Sequence, residues 1–508
     1  MAPLSLDVKV LVVGAGAMGS GIAQVAARAG HHVYLYDARV DAAAAGRAAI
    51  ERDLAALVAK GRLGEREAQA TLARVEAVAT LGAAREAGVA IEAVVEQLEV
   101  KQSIFLELEA QLAPTAILAS NTSSLSITAL GAPLARPTRL AGLHFFNPAP
   151  RMALVEVVSG LATDAAVAER LHATARNWGK IPVHARSTPG FIVNRVARPY
   201  YAEALRVLAE GAARPATLDA ILREGCGFPM GPFELMDFIG HDVNFAVTRS
   251  VFDAYFGDRR FAPSLIQQEL VAAGRLGRKS GQGFYSYAAD APRPAPQLEA
   301  AQAGEAALTV VGDLGVAVPL IGRLEAAGVA VRREPGQGGG GWLQIGAARL
   351  ALADGRPATR RAVEEGCPNL VLFDLCLDYA TTPRIALAHA DSCGRGAYRA
   401  VVGTLQRAGL LVTGIDDVAG MLALRTVAML ANEAADAQLQ GVASAADIDA
   451  AMRHGTNYPR GPLAWADQLG AAFVARVLGH LKEHYGEECY RVSPLLQRKT
   501  WNGETFHE

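Results

Sequence analysis

A chain of 508 residues, at roughly 150 residues per domain, calls for about three or four domains and excludes a single small binding module. Lys and Arg number 49 against 51 Asp and Glu, a formal net charge of −2, which leaves no overall positive field to hold nucleic acid or an anionic membrane surface. Apolar residues at 51% with only 20% charged, the excess coming largely from alanine, indicate an ordered, helix-rich soluble protein.

Val10 to Ala27 carries no charge, and a signal peptide or membrane segment is the first thing to test there. Gly14, Gly16, Gly19, Gly21, Ser20 and Gln24 lower its hydrophobicity, and the strand-like His32–Tyr36 follows at once. The stretch instead reads as strand Lys9–Val13, a glycine turn, a helix to Ala29 and a second strand Val33–Tyr36 closed by Asp37. Further strands are predicted at Val75–Ala79, Ala90–Val95, Ile117–Ala119, Leu140–Phe145 and Leu154–Val158, with a helix over Glu99–Leu112. That alternation predicts a parallel, doubly wound sheet. After Thr188-Pro189-Gly190 the strand signals stop. Residues 191 to about 285 read as helices broken at Phe228-Pro229-Met230-Gly231-Pro232, and Ala288–Pro296, with Pro292, Pro294 and Pro296, has the composition of a linker.

Beyond the linker the strand–glycine–helix–strand order returns at Leu308–Val311, Gly312-Asp313-Leu314-Gly315, an apolar stretch to Ala327 and Val329–Val331. Pro335–Gly341 reads as a flexible loop. A gapless shift of 230 residues then lays Gly190 on Gly420, Arg195 on Arg425, Glu203 on Glu433 and Asp219 on Asp449. It also lays Pro229, Gly231, Pro232, Asp237 and Gly240 on Pro459, Gly461, Pro462, Asp467 and Gly470, so the helical domain is written twice. The expected domains are 1–188 (α/β), 189–287 (helical), a linker at 288–297, 298–415 (a degenerate α/β unit) and 416–508 (the second helical copy).

Gly14-Ala15-Gly16-Ala17-Met18-Gly19 follows a strand and opens a helix, so the backbone can approach a pyrophosphate at the helix's positive end. Asp37, at the end of the next strand, can take both ribose hydroxyls and would repel a 2′-phosphate, which predicts NAD rather than NADP. Ser120-Asn121-Thr122-Ser123-Ser124 sits at the carboxyl end of a strand, where polar side chains face the ligand crevice. Ser124 or Ser126 could equally cap the helix that follows. His144 ends Leu140–Phe145, and Glu156 lies inside the valine-rich Leu154–Val158, where an unpaired carboxylate is expensive. A histidine on the neighbouring strand is its natural partner and would be an oriented base. The five cysteines have no CxxC spacing, so neither a disulfide framework nor a zinc site is expected, and the compartment predicted is the reducing cytoplasm.

The glycine motif, Ser120–Leu125, His144-Phe145-Phe146-Asn147-Pro148, Thr188–Arg195 and Gly277–Tyr285, five motifs in order, together resemble the L-3-hydroxyacyl-CoA dehydrogenases. The resemblance implies a Rossmann domain followed by a helical domain of the 6-phosphogluconate-dehydrogenase type, NAD as cofactor and a 3-hydroxyacyl-CoA as substrate. By position it makes His144 the general acid/base and Glu156 its holder, and puts Ser123 and Asn194 on the substrate's 3-oxygen or the nicotinamide. It assigns Gly14, Gly16, Met18, Gly19, Asp37, Glu96, Lys101, Asn121, Asn147 and Lys279 to NAD and Lys60 to CoA. Asp53 stands near where some relatives have a CoA-contacting serine.

The second half departs from the pattern. Leu424 replaces Asn194, no counterpart of the His144 motif is recognisable, and Val329–Val331 runs into Arg332-Arg333 rather than an acid, so one active site per chain is expected. The two-copy layout resembles the bacterial dehydrogenases of phenylacetate breakdown, which act on 3-hydroxyadipyl-CoA, with 3-hydroxybutyryl-CoA the other acyl group considered. With no hydratase half ahead of Gly14, a dehydrogenase outside the multifunctional β-oxidation subunit is expected. The competing expectations are another Rossmann hydroxyacid or sugar-nucleotide dehydrogenase and a non-catalytic NAD-binding scaffold. In this family the helical domain is the usual dimer surface. The second copy is therefore expected to take a partner's place as an intramolecular pseudo-dimer, with a homo-oligomer also open.

Overall fold

The computed structural model describes residues 1–336 and 340–507; part of the Pro335–Gly341 stretch expected as a loop, residues 337–339, lies outside them. The chain forms two compact units, residues 1–195 with 440–456, and 196–439 with the residues from 457 onward.

In the first unit the strands are β1 (Val10–Val13), β2 (Val33–Tyr36), β3 (Val75–Val78), β4 (Val89–Glu92), β5 (Ile117–Ser120), β6 (Leu140–Phe145), β7 (Leu154–Ser159) and β8 (Ile181–Arg186). They make one sheet in the order β3-β2-β1-β4-β5-β6-β7-β8. Strand order reverses at β1, which opens a crevice above the carboxyl ends of β1 and β4. Both strands are wholly buried, as a sheet covered on two faces requires. The uncharged Val10–Ala27 stretch divides into β1 and the helix Ala17–Arg28, and among the described residues no helix is long and apolar enough to cross a membrane.

Two sequence expectations need correction here. β6 and β7 pair antiparallel, not parallel. The few residues between them cannot build the crossover helix that parallel neighbours need. β8 was not expected, because Pro182, His184 and Arg186 interrupt its apolar pattern, yet it pairs with β7 along its whole length. The antiparallel register sets His144 directly opposite Glu156.

The second unit holds β9 (Ala307–Val311), β10 (Ala330–Glu334), β11 (Trp342–Ile345), β12 (Ala348–Leu352), β13 (Leu370–Phe373), β14 (Arg384–His389) and β15 (Leu411–Gly414). Their order is β10-β9-β11-β12-β13-β14-β15. β10 continues past the predicted Val331 to Glu334, because its charged side chains lie along an exposed edge of the sheet. Val311 pairs with Glu334 as Val13 pairs with Tyr36, so the place of Asp37 is taken by Pro335. The acid that does close this strand, Glu334, stands one position short of the place that Asp37 holds in the first half.

The 230-residue shift reaches further back than sequence identity showed. It carries the start of β6 onto β13, β7 onto β14, the helix Ala165–Asn177 onto Arg395–Arg407, and the start of β8 onto β15. Even the backbone strain repeats, with Phe191 at φ 48° and Met421 at φ 52°, each after a left-handed glycine.

One helical segment of each copy packs on the sheet of the other half. Helix Ala445–Gly455, from the second copy, lies in the first unit against β7 and β8. There the Arg186 amide donates to the Val442 carbonyl at 2.8 Å, and Gly455 packs so close that a Cβ would meet Leu154 Cδ2 at 2.6 Å. Its first-copy counterpart, Pro215–Ala220 with the π-helical turn Ile221–Gly225, packs on β14 in the second unit. Arg384 Nε donates to Glu224 at 2.9 Å there. In the same unit the buried helix Ala423–Leu439 runs along Arg198–Ala209. Arg425 reaches Glu203 at 2.6 Å and Glu210 at 2.9 Å, while Arg260 reaches Glu433 at 2.9 Å and Asp436 at 2.6 Å. Equivalent glutamates of the two copies thus each hold a buried arginine, and paired burial is what makes such charges tolerable.

Candidate active site

Above the end of β1 the glycine turn is built for close approach. A Cβ on Gly19 would collide with the Gly14 carbonyl, and Gly14 itself has φ 102°, so both positions require glycine. Gly16, at the N-cap of Ala17–Arg28, faces open space, and no acidic residue stands in the helix's first turn. Met18 is half-buried beside it. This is the shape and polarity that a dinucleotide pyrophosphate needs, so the residues fit the cofactor. Asp37 Oδ2 accepts the Ala15 amide at 2.9 Å, tying the end of β2 to the turn. The Arg39 guanidinium is the chief cause that holds this carboxyl down at about pKa 2.

Next along the crevice, Glu96 organises the loop after β5. Its Oε1 accepts from the Thr122 hydroxyl at 2.6 Å and from the Ser123 and Ser124 amides at 2.8 and 3.1 Å. The Ser123 hydroxyl also donates to it at 3.3 Å. Burial pushes the Glu96 pKa up, but the Thr122 hydroxyl and the Lys101 ammonium outweigh it and hold the carboxyl below its ordinary value. Lys101 is only 1% exposed and lies behind this cluster, bound to Glu92 at 2.6 Å and Glu96 at 3.2 Å. Its contact with the crevice is therefore through Glu96. Glu92, which also accepts from the Ser120 hydroxyl at 2.6 Å, escaped the sequence reading; a carboxylate closing an apolar strand was its signal. Asn121 spends its Oδ1 on the Phe145 amide at 2.8 Å, pinning β5 to β6, and Ser126, not Ser124, caps the following helix.

Beneath the loop, His144 Nδ1 lies 2.7 Å from Glu156 Oε2, with both side chains buried. The ring is wedged against Phe146 and Phe191 at 4.5 and 5.9 Å. A carboxylate on Nδ1 fixes the tautomer, leaving Nε2 as the proton acceptor. The other Glu156 oxygen accepts the amides of Ile192 and Val193 at 3.0 Å, immediately after the strained Phe191. Glu156 therefore does two jobs, and only one was foreseen. Asn194 Nδ2 reaches the Ser123 carbonyl at 3.4 Å, which brings the two expected substrate residues together.

The remaining sequence-assigned residues make none of the contacts just described. Asn147 is exposed, at a cis bond to Pro148. Lys60 and Asp53 are exposed on and just after helix Ala42–Ala59. Lys279 belongs to the second unit, where it pairs with Asp242.

Sequence profiles agree with this geometry. Residues 9–188 match the 3-hydroxyacyl-CoA dehydrogenase NAD binding domain, and residues 190–287 and again 420–505 match the C-terminal domain of that family. Residues 350–418 match a 3-hydroxybutyryl-CoA dehydrogenase reduced Rossmann-fold domain. The chain is 46% identical over 490 residues, 96% of its own length and 97% of the relative's, to the 3-hydroxyadipyl-CoA dehydrogenase of Escherichia coli K12. It is 42% identical over 55% of its length, and 97% of the relative's, to a probable 3-hydroxybutyryl-CoA dehydrogenase of Bacillus subtilis. A crystal structure of 3-hydroxybutyryl-CoA dehydrogenase from Escherichia coli K12 superposes with TM-score 0.89 at 44% identity, covering 98% of this chain and 99% of that one.

Proposed function

Because the chain belongs to the 3-hydroxyacyl-CoA dehydrogenase family, whose members oxidise L-3-hydroxyacyl-CoA to 3-oxoacyl-CoA with NAD, we propose that His144 is the base of that reaction in this chain. The observation that carries the proposal is the buried pair of His144 and Glu156 at 2.7 Å, in line with the strand ends that hold the glycine turn. His144 Nε2 takes the proton from the C3 hydroxyl, and Glu156 holds the ring and balances the imidazolium that forms. Bound NAD supplies the acceptor for the hydride leaving C3. Asn194 and Ser123 hold the C3 oxygen, with Glu96 setting the Ser123 loop, and Asp37 takes the ribose hydroxyls. Lys60 serves the CoA side, and Asn147 and Lys279 the cofactor.

The acyl group is adipyl or butyryl, the two that the relatives' names carry. The second helical copy substitutes for a partner subunit's, a reading supported by the exchanged helix and by the Arg425–Glu203 pair. Five unpaired cysteines agree with a cytoplasmic setting. NADH consumption with acetoacetyl-CoA and 3-oxoadipyl-CoA tests the reading. His144→Gln should lower turnover about 100-fold or more while NADH affinity, followed by fluorescence, stays within a few-fold. Unchanged turnover would dismiss His144 as the base.

A further inference from the structure

The carboxylate assigned to the ribose already has donors on both oxygens. A carboxylate offers about four lone-pair sites, and at Asp37 four hydrogen bonds fill them. Oδ1 accepts the Arg39 amide and Arg39 Nε, each at 3.0 Å. Oδ2 accepts the Ala15 amide at 2.9 Å and Arg39 Nη2 at 3.1 Å. Two of these donors are backbone and fixed, the Ala15 amide in the glycine turn and the Arg39 amide two residues beyond Asp37. The other two are the fork of a single guanidinium, which presents a pair of donors to the two oxygens as a ribose diol would.

The partners differ in freedom. The Asp37 side chain is 10% exposed and held by both backbone amides, whereas that of Arg39 is 74% exposed. An exposed pair of this kind is weak, so two hydroxyls can displace the guanidinium. With Arg39 in place the two charges cancel, and repulsion by Asp37 alone is a poor barrier to a 2′-phosphate. Occupancy is the better one. A 2′-phosphate brings acceptors where an ionised carboxylate needs donors, so it cannot take the place of the guanidinium on Asp37.

We propose that Arg39 is a specificity-determining residue: it caps Asp37 until a ribose diol takes its place, and once freed from that carboxylate its guanidinium receives a 2′-phosphate. The inference rests on the reading of Asp37 as the acceptor of the ribose hydroxyls. Asp37 then secures NAD in two ways, by accepting the diol and by detaining a cation that would otherwise hold NADP. The planar fork of an arginine suits either task, since it matches carboxylate and phosphate alike.

The test titrates the full chain with NADH and with NADPH, which differ only in the 2′-phosphate, and follows their fluorescence, so that binding is read without turnover. Wild type should bind NADH the more tightly. Asp37→Ala should weaken NADH about 10-fold and strengthen NADPH about 10-fold. Adding Arg39→Ala to that variant should erase the NADPH gain, whereas Arg39→Ala alone should change NADPH affinity by less than about 3-fold. The gain should also shrink as salt is raised, because the contact is exposed. Asp37→Ser, which leaves an oxygen for the Ala15 amide, should behave as Asp37→Ala and keeps the test decisive if the alanine loosens the glycine turn. Weakened NADH with no NADPH gain, or with a gain that survives Arg39→Ala, would overturn the role of Arg39 and still mark Asp37 as the ribose acceptor. NADH affinity unchanged in both Asp37 variants, or a wild type that favours NADPH, would overturn the ribose assignment itself and this inference with it.

Discussion

At the position of His144 the second half of the chain carries Asp374, and at that of Glu156 it carries Ala386. The two registers match, since the Asp374 amide donates to the Ala386 carbonyl just where His144 stands opposite Glu156. Asp374 accepts the amides of Leu422, Ala423 and Leu424 at 3.1, 2.7 and 2.9 Å. In the first half Glu156 accepts the equivalent amides, those of Ile192 and Val193. The carboxylate has moved across one strand pairing and kept its contact with the strained turn, while the imidazole has gone. The comparison separates two functions that overlap in Glu156. Receiving the first amides of the following helix is common to both halves, and orienting a base belongs only to the proposed chemistry of the first.

The sharpest way to break the comparison is to rewrite the first half as the second. His144→Asp with Glu156→Ala should abolish turnover, by about a hundredfold or more, yet fold with nearly wild-type stability, because Asp at 144 can take the amides of Ile192 and Val193. Glu156→Ala alone should be less stable than the double variant, since two buried amides lose their acceptor at about 1–3 kcal/mol each. Urea unfolding of the three chains decides it. Equal stability of single and double variants would mean that the two carboxylates are not equivalent.

A second test addresses the exchange of helices. A chain ending near Pro292 lacks Ala445–Gly455, and the faces of β7 and β8 that this helix covers should become exposed. Sedimentation should then find dimers or aggregates; a stable, fully active monomer would show that the second half is dispensable.

The smallest effect is electrostatic. Burial pushes the Asp374 carboxyl up to about pKa 6 from an ordinary 3.8, against the pull of the amides it accepts. Because the folded value is raised, its stabilising contribution is complete below about pH 4 and is lost as pH rises through 6. Asp374→Asn cannot ionise, so its stability relative to wild type should improve between pH 4 and pH 8, by up to about 3 kcal/mol. A pH-independent difference in urea midpoints would exclude this.

Local chemistry was legible in the sequence. The glycine turn stands in a run whose spacing points to its proposed use, Ser123, His144 and Asn194 stand in motifs that resemble the family's, and Glu156 announced itself as a charge in a valine-rich strand. What was hidden depends on neighbours distant in sequence. The repeat was visible only from Gly190 because helix-packing glycines and prolines keep their identities. Strands β6 to β8 and β13 to β15 need little more than apolar side chains, and they drifted until Leu140 on Leu370 was the one identity left between them. Arg198 looks like any surface arginine until its burial is seen, and Glu92, a carboxylate closing an apolar strand, shows what it does only with Lys101 and Ser120 around it.

The exchanged helix also governs the order in which the protein can be made. Residues 440–456 complete the first compact unit, yet the whole of 196–439 leaves the ribosome between them and Arg195. At about 5–20 residues per second, the nascent first sheet waits tens of seconds with the outer faces of β7 and β8 bare. Contacts so distant along the chain form late and slowly, so the catalytic unit matures among the last parts of the molecule even though its sequence is translated first.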